Sequence, residues 1–321
     1  MQFNVRPLAS GVLVTVFAAF VVTSLTAGSL NPSVPAATIE SIGFFPALGD
    51  APSGLKWLGP DGKVLPFQTY EEIEEFLQTA EIISKKELSS GITLPWKLLL
   101  EKGGIRMNAV FRYIEFHKRK WNSDHGVRMN FRDSYLFECA AYELGKILGL
   151  DNIPPVVLRE IDGQKGSVQA WVENTITEEN RLKKKINPPN RIRWLYQRQI
   201  MRVFDNLIYN DDRTQKNYLY DADWKLWMID FTRAFQSVPE LKDPEKIMFC
   251  DRRLLERIRN LNGEEVKEVK EKLEVTGLLT PSQVRTLMKR RDKLVSYIEK
   301  LVEEKGQGAV LYSFLKAKPS E

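Results

Sequence analysis

Two cysteines, Cys139 and Cys250, and two histidines, His117 and His125, are all that this 321-residue chain holds of either type. That is too few cysteines for a disulfide scaffold; one bridge in an oxidising compartment is the most they allow. Cys139 lies inside an apolar helical pattern, the setting of a small buried residue. Neither histidine has a cysteine or a second histidine at metal-ligand spacing. This argues against zinc and places both in a surface loop. No internal repeat is visible, and no G-x-G-x-x-G occurs. A dense basic stripe is also missing. The net charge of +5 is spread along the chain, apart from Lys183-Lys184-Lys185 with Arg191 and Arg193 nearby. Without interleaved aromatics, that run is a solvated loop or a rim for an anionic partner, and it argues against nucleic acid.

Charge is absent from the amino terminus. After Arg6 no charged residue appears until Glu40, and Leu8 to Leu25 (LASGVLVTVFAAFVVTSL) is nearly continuously apolar. A basic start followed by such a run reads as a signal peptide or an uncleaved membrane anchor over 1–30. Arg6 on the cytoplasmic side would place the remainder outside, secreted or anchored.

What is present is ordinary globular material: 43% apolar and 28% charged residues. Residues 31–68 are rich in Gly and Pro and read as an irregular linker. Thr69 caps a helix over TYEEIEEFLQTAEI, with Glu72 three residues on and Ile73, Phe76, Leu77 and Ala80 on one face. Trp96 to Leu100 and Met107 to Phe116 read as strands joined through Gly103-Gly104. A loop follows with Lys118 to Lys120 and Asp124 to Gly126. Asp133 to Leu150 has helical spacing, ended by Gly149. Ile153 to Leu158 and Ser167 to Val172 are strands joined through Asp162-Gly163. Helices are expected over Arg191 to Tyr209, Arg252 to Asn260, Glu264 to Val275 and Pro281 to Glu304, the last started by Thr280-Pro281. Between them, Tyr218 to Tyr220 and Lys225 to Ile229 form a tight hairpin. The order is α+β: strand-rich over 69–174, helix-rich over 175–321.

One segment carries chemistry: Asn210-Asp211-Asp212-Arg213-Thr214-Gln215-Lys216-Asn217, then Trp227-Met228-Ile229-Asp230-Phe231-Thr232. Phosphoryl transfer needs a carboxylate beside the acceptor hydroxyl and hard oxygen ligands for a divalent metal. Asp212 follows a helix; Asn217 enters one strand of the hairpin; Asp230 leaves the other. The hairpin therefore brings Asn217 and Asp230 to one open end with Asp212 close by. Taken singly, Asp211-Asp212-Arg213 is equally a solvated turn, and Asp230 equally a helix cap.

The pattern D-R-x-x-x-N followed by hydrophobic-I-D-F resembles the catalytic and metal-binding loops of atypical kinases, the phosphoinositide kinases among them. Phe137 to Leu144 (FECAAYEL), Ile147 to Leu150 (ILGL) and Ile153 to Arg159 (IPPVVLR) are similar to a stretch of the secretory-pathway kinases of the Golgi casein kinase type. Phe204 to Arg213 (FDNLIYNDDR) and Asp230 to Phe235 (DFTRAF) resemble further motifs of the same kinases. The resemblance runs from about Thr93 to Phe235. It implies an atypical bilobal protein-kinase-like fold with a strand-rich N-lobe and a helical C-lobe. It implies a catalytic Asp212, metal ligands Asn217 and Asp230 for Mg²⁺ or Mn²⁺, and an ATP site. Glu138 would pair with the phosphate-anchoring cation, and Ala170, Trp171, Val172 and Glu173 would meet adenine. The family's lysine is replaced by Arg112 in Ala109-Val110-Phe111-Arg112; Arg112, or Lys97 on the preceding strand, would take its place. Thr232 stands where the family has glycine.

The resemblance implies an ATP- and metal-dependent phosphotransferase acting on a protein or glycan hydroxyl outside the cytoplasm. Two alternatives stand beside it: a catalytically impaired pseudokinase that binds nucleotide or a partner, and an envelope structural or adhesion protein with a decayed site. Whether Arg112 or Lys97 reaches both Glu138 and the phosphates separates the enzyme from the pseudokinase.

Overall fold

The computed structural model describes residues 55–88, 94–123, 126–261 and 277–315. The apolar run at Leu8 to Leu25, His125 and the helix expected over Glu264 to Val275 lie outside the described residues.

Alternating apolar residues build the main sheet. In β2 (Trp96–Lys102) Leu98 and Leu100 point inward, and in β3 (Ile105–Arg112) Met107, Ala109 and Phe111 do. Gly103 and Gly104 both take positive φ, as a two-residue hairpin between them requires. Asp162-Gly163 does the same between β6 (Val156–Ile161) and β7 (Gln164–Ala170). With β1 (Glu81–Glu87), these strands form a five-stranded antiparallel sheet in the order β1-β2-β3-β7-β6. Helix α1 (Tyr70–Thr79) lays Ile73, Phe76 and Leu77 on it. Trp57, Leu65 and Phe67, from the Gly/Pro-rich lead-in, are buried in the same core.

Five expectations change here. The first helix stops at Thr79, and Glu81–Glu87 leaves it as the edge strand β1, whose exposed Lys85 and Lys86 suit an edge. Glu72 accepts from the amide of Gln68 rather than from that of its cap, Thr69. The strand expected over Met107 to Phe116 breaks at Tyr113-Ile114. Beyond the break, the expected basic loop is a second hairpin, β4 (Glu115–Ser123) with β5 (Gly126–Ser134), so His117 sits on a strand. Phe116, Trp121 and Phe131 pack together on it, which a run of Lys and Arg had hidden. The helix expected from Asp133 begins at Leu136 instead, because Asp133 and Ser134 still belong to β5.

A second core joins α2 (Leu136–Ile147) to α4 (Arg191–Ile208), α5 (Arg252–Asn260) and α6 (Pro281–Lys305). A three-stranded sheet, β10 (Leu226–Met228), β9 (Tyr218–Tyr220) and β8 (Ile176–Thr177), lies beside α3 (Glu178–Lys183). Farther along, β11 (Cys250–Asp251) pairs in parallel with β12 (Leu311–Tyr312), which follows the short α7 (Gln307–Val310). At the start of α6, Thr280-Pro281 begins the helix as expected, and Thr280 and Gln283 close a capping box there. Inside α6, the fully buried Arg290 donates to the carbonyls of Leu207, Gln236 and Val238, holding the end of α4. Cys139 and Cys250 are buried and free, and burial pushes both thiols up.

Strand β7 has one position that tolerates no side chain. A Cβ at Gly166 would lie 2.5 Å from the Arg112 carbonyl and 2.3 Å from the Phe111 ring. Gly166→Ala should therefore destabilise the protein by about 1–3 kcal/mol, the usual cost of overpacking, read as a lower denaturant midpoint. Gly163→Ala is the control, since nothing lies within 4 Å of its Cβ, although its φ of +76 carries a separate strain.

Candidate active site

The site begins at the end of α4. Tyr209 caps that helix in the left-handed conformation, and the chain turns into the loop 210–217. Arg213 organises the loop. Its Nε donates to Asp205 Oδ2 at 2.9 Å and its Nη2 to Asp205 Oδ1 at 3.1 Å. Its Nη1 donates to the carbonyls of Asn217 and Ile229. One guanidinium thus joins α4, the loop and both strands leaving it.

Strands β9 and β10 pair Tyr218 with Met228, and the Ile229 amide continues the ladder to the Asn217 carbonyl at 3.1 Å. Asn217 and Asp230 therefore sit at one open end of the hairpin, as expected. The Asn217 amide nitrogen donates to the Asp212 carbonyl at 2.7 Å, which leaves its oxygen as the end available to a ligand. Asp212 is 41% exposed and accepts from Arg233 Nη1 at 3.2 Å; Arg233 Nε reaches Asp133 at 2.7 Å. Burial raises the Asp212 carboxyl above its ordinary value; Arg233 opposes this, and Asp230 and Asp133 add to it.

The glycine replacement costs nothing at its own position. Positive φ falls on Asp230 (+61) and Phe235, not on Thr232. A non-glycine residue held in the left-handed region at this point is localised strain of the kind found at functional sites. Thr232 lends its hydroxyl to Asp230 and its carbonyl to the Ser134 amide.

Across from the hairpin, Arg112 at the end of β3 reaches Glu138 on α2, Nε to Oε1 at 3.4 Å. The same Glu138 oxygen accepts from the Phe231 amide at 2.9 Å. Glu138 is fully buried, and burial pushes its carboxyl up to about 7 against the pull of Arg112, with Asp230 raising it further. Arg112 also donates from Nη1 to Gln169 Oε1 at 3.2 Å. Lys97, the other candidate cation, holds its ammonium 4.3 Å from the Trp171 ring centroid instead. In the segment 170–173, the amides of Ala170 and Trp171 already donate to the carbonyls of Pro155 and Asn108. The Glu173 side chain accepts from Asn108 Nδ2 at 2.6 Å.

No protein-family profile and no curated relative matches the sequence. Solved structures do. A hydra Fam20 structure solved with sugar superposes with a TM-score of 0.58 at 15% identity, covering 76% of this chain and 92% of that one. A Golgi casein kinase structure gives 0.56 at 16% identity, covering 78% and 80%. A Golgi casein kinase structure with Mn/ADP bound gives 0.57 at 16%, covering 77% and 80%. The fold is that of an atypical Fam20-like kinase.

Within this kinase fold, no three His, Cys, Asp or Glu side chains among the described residues are grouped to hold a metal by themselves. One carboxylate and one amide oxygen at a hairpin end fit a hard cation that takes its remaining ligands from phosphate and water. Asp205, Arg213, Arg233 and Gln169 were not assigned roles from the sequence. Asp205 and Arg213 were visible within the FDNLIYNDDR resemblance; Gln169 carried no signal.

Glu138 generates a pH prediction. With its carboxyl raised from 4.5 to about 7, the folded protein binds a proton between those values that the unfolded chain does not. Stability should therefore fall as pH rises through that window, measured without nucleotide or divalent metal. Glu138→Gln should flatten the slope in denaturant midpoints; equal slopes in the two proteins would refute the assignment.

Proposed function

We propose that the protein is an ATP- and divalent-metal-dependent phosphotransferase, transferring phosphate to a hydroxyl of a protein or glycan outside the cytoplasm. The observation that carries this reading is the meeting of Asn217 and Asp230 at the end of the β9–β10 hairpin, with the Arg112–Glu138 pair bonded to the adjacent Phe231 amide. The likeness to a Golgi casein kinase solved with Mn/ADP supports nucleotide and divalent metal. The hydra Fam20 solved with sugar keeps a glycan acceptor alongside a protein one.

In this reading Asp230 and the Asn217 amide oxygen hold Mg²⁺ or Mn²⁺, whose contribution is to neutralise the phosphate charge. Asp212 accepts the proton of the acceptor hydroxyl; its raised carboxyl makes it the better base. Arg112 holds phosphate oxygens and Glu138 orients it. Adenine lies against 170–173, where any backbone N–H offered to the base comes from Val172 or Glu173. The strand-rich lobe over 69–174 and the helical lobe over 175–321 belong to the same reading. So does the extracytoplasmic location, through the segment at Leu8 to Leu25 as signal or anchor; among the described residues no helix is long and apolar enough to cross a membrane. The Arg112–Glu138 contact meets the Glu138 half of what turnover requires of the cation; the phosphate half separates the enzyme from a pseudokinase.

Thermal unfolding with ATP plus Mg²⁺ or Mn²⁺ tests the reading. Wild type should be stabilised by about 2.7 kcal/mol at a hundredfold excess over Kd, and Asp230→Ala should lose most of that shift. Asp212→Asn should keep the shift while ATP turnover drops at least about 100-fold. No shift in wild type with either metal would sink the nucleotide site.

A further inference from the structure

The exchange of lysine for Arg112 changes what the site must do. An ammonium is a point charge, and one carboxylate suffices to place it. A guanidinium is a planar fork, and its donors are useful only if the plane is fixed. A single contact at Nε leaves the fork free to turn about its own stem.

The sheet supplies the second contact. In the β3–β7 register Val110 opposes Gln169 and Arg112 opposes Ser167, so these four side chains share one face. The opposite face, with Ala109, Phe111, Val168 and Ala170, is buried in the core under α1. On the shared face Glu138 meets Arg112 at Nε, and Gln169 Oε1 takes a hydrogen from Nη1. Two points fix the plane. Of the five N–H donors of the guanidinium, one is hydrogen-bonded to Gln169, the Nε donor faces Glu138 in an ion pair, and the other three remain for an anionic ligand.

We propose that Gln169 is a positioning residue that makes Arg112 competent to anchor phosphate in place of lysine. This deepens the phosphotransferase reading and rests on it. Gln169 is 1% exposed, and its Nε2 has no partner, as have neither Ser167 Oγ nor Glu138 Oε2. An amide buried at the cost of an unmade hydrogen bond is not explained by stability, since an apolar residue of similar size would avoid that cost. Its carbonyl end explains it. The choice of amide over carboxylate follows as well: Gln169 orients Arg112 without cancelling its charge, whereas a second carboxylate beside Glu138 would compete with phosphate.

The test uses ADP with Mn²⁺, which needs no acceptor, and reads Kd by calorimetry in the full chain. Gln169→Leu should weaken binding about tenfold or more in the Arg112 protein. In an Arg112→Lys background the same substitution should change Kd less than about twofold, because a lysine needs no second restraint. Gln169→Glu, which keeps a partner for Arg112 and guards against a misfolded leucine variant, should also weaken binding while leaving the unfolding temperature of the ligand-free protein at least as high. Equal losses from Gln169→Leu in both backgrounds would overturn the proposal, as would unchanged binding by Gln169→Glu. Failure of wild type itself to bind ADP with Mn²⁺ is a separate result: it removes the nucleotide site, and the proposal with it.

Discussion

The geometry of the site depends on the Arg213 guanidinium. It grips both oxygens of Asp205 on α4 and the carbonyls of Asn217 and Ile229, the residues that open and close the β9–β10 hairpin. A charge-assisted, two-pronged contact of this kind holds orientation as well as distance. In the loop 210–217 this hub acts with the Asn217-to-Asp212 hydrogen bond, the Asn210 amide on Asp205, and Lys242, which donates to the carbonyls of Asn210 and Asp211. A lysine in place of Arg213, with three donors on a single nitrogen, could not span the fork of four acceptors.

A second buried group, Glu138, performs the corresponding task on the Arg112 side of the site. It touches Arg112 from the sheet and the Phe231 amide from the strand end beside Asp230. The Arg112 guanidinium and the chain beside Asp230 are thus referenced to the same oxygen atom. The cost is a carboxylate with no exposure and one unpartnered oxygen, held only partly charged near neutrality. Such a group is sensitive to whatever charge arrives nearby.

Much of this was legible in the residues. The long periodic helices α4 and α6 and the hairpin carrying Asn217 and Asp230 follow from spacing and caps, and the pairing of Arg112 with Glu138 follows from the resemblance. What failed had physical reasons. Glu81–Glu87 continues a helical-looking run, and only pairing with β2 decides for a strand. Lys118 to Lys120 hide a hairpin whose stability lies in aromatic packing rather than alternation. The two-residue strands β8, β11 and β12 have no periodicity to detect. Nothing in the residue pattern marks Asp230 as the left-handed residue of its turn.

The β4–β5 hairpin begins and ends in one place, since Glu115 pairs with Ser134. It is a side branch on the path from β3 to α2. Once it has zipped, an event of microseconds, the open chain between Arg112 and Glu138 shrinks to the few residues flanking the branch. The entropy of closing the Arg112–Glu138 contact then approaches that of a short turn. A local hairpin formed early thereby lets a contact distant in sequence form as if it were near, and the branch sets an order of assembly for the cation side of the cleft.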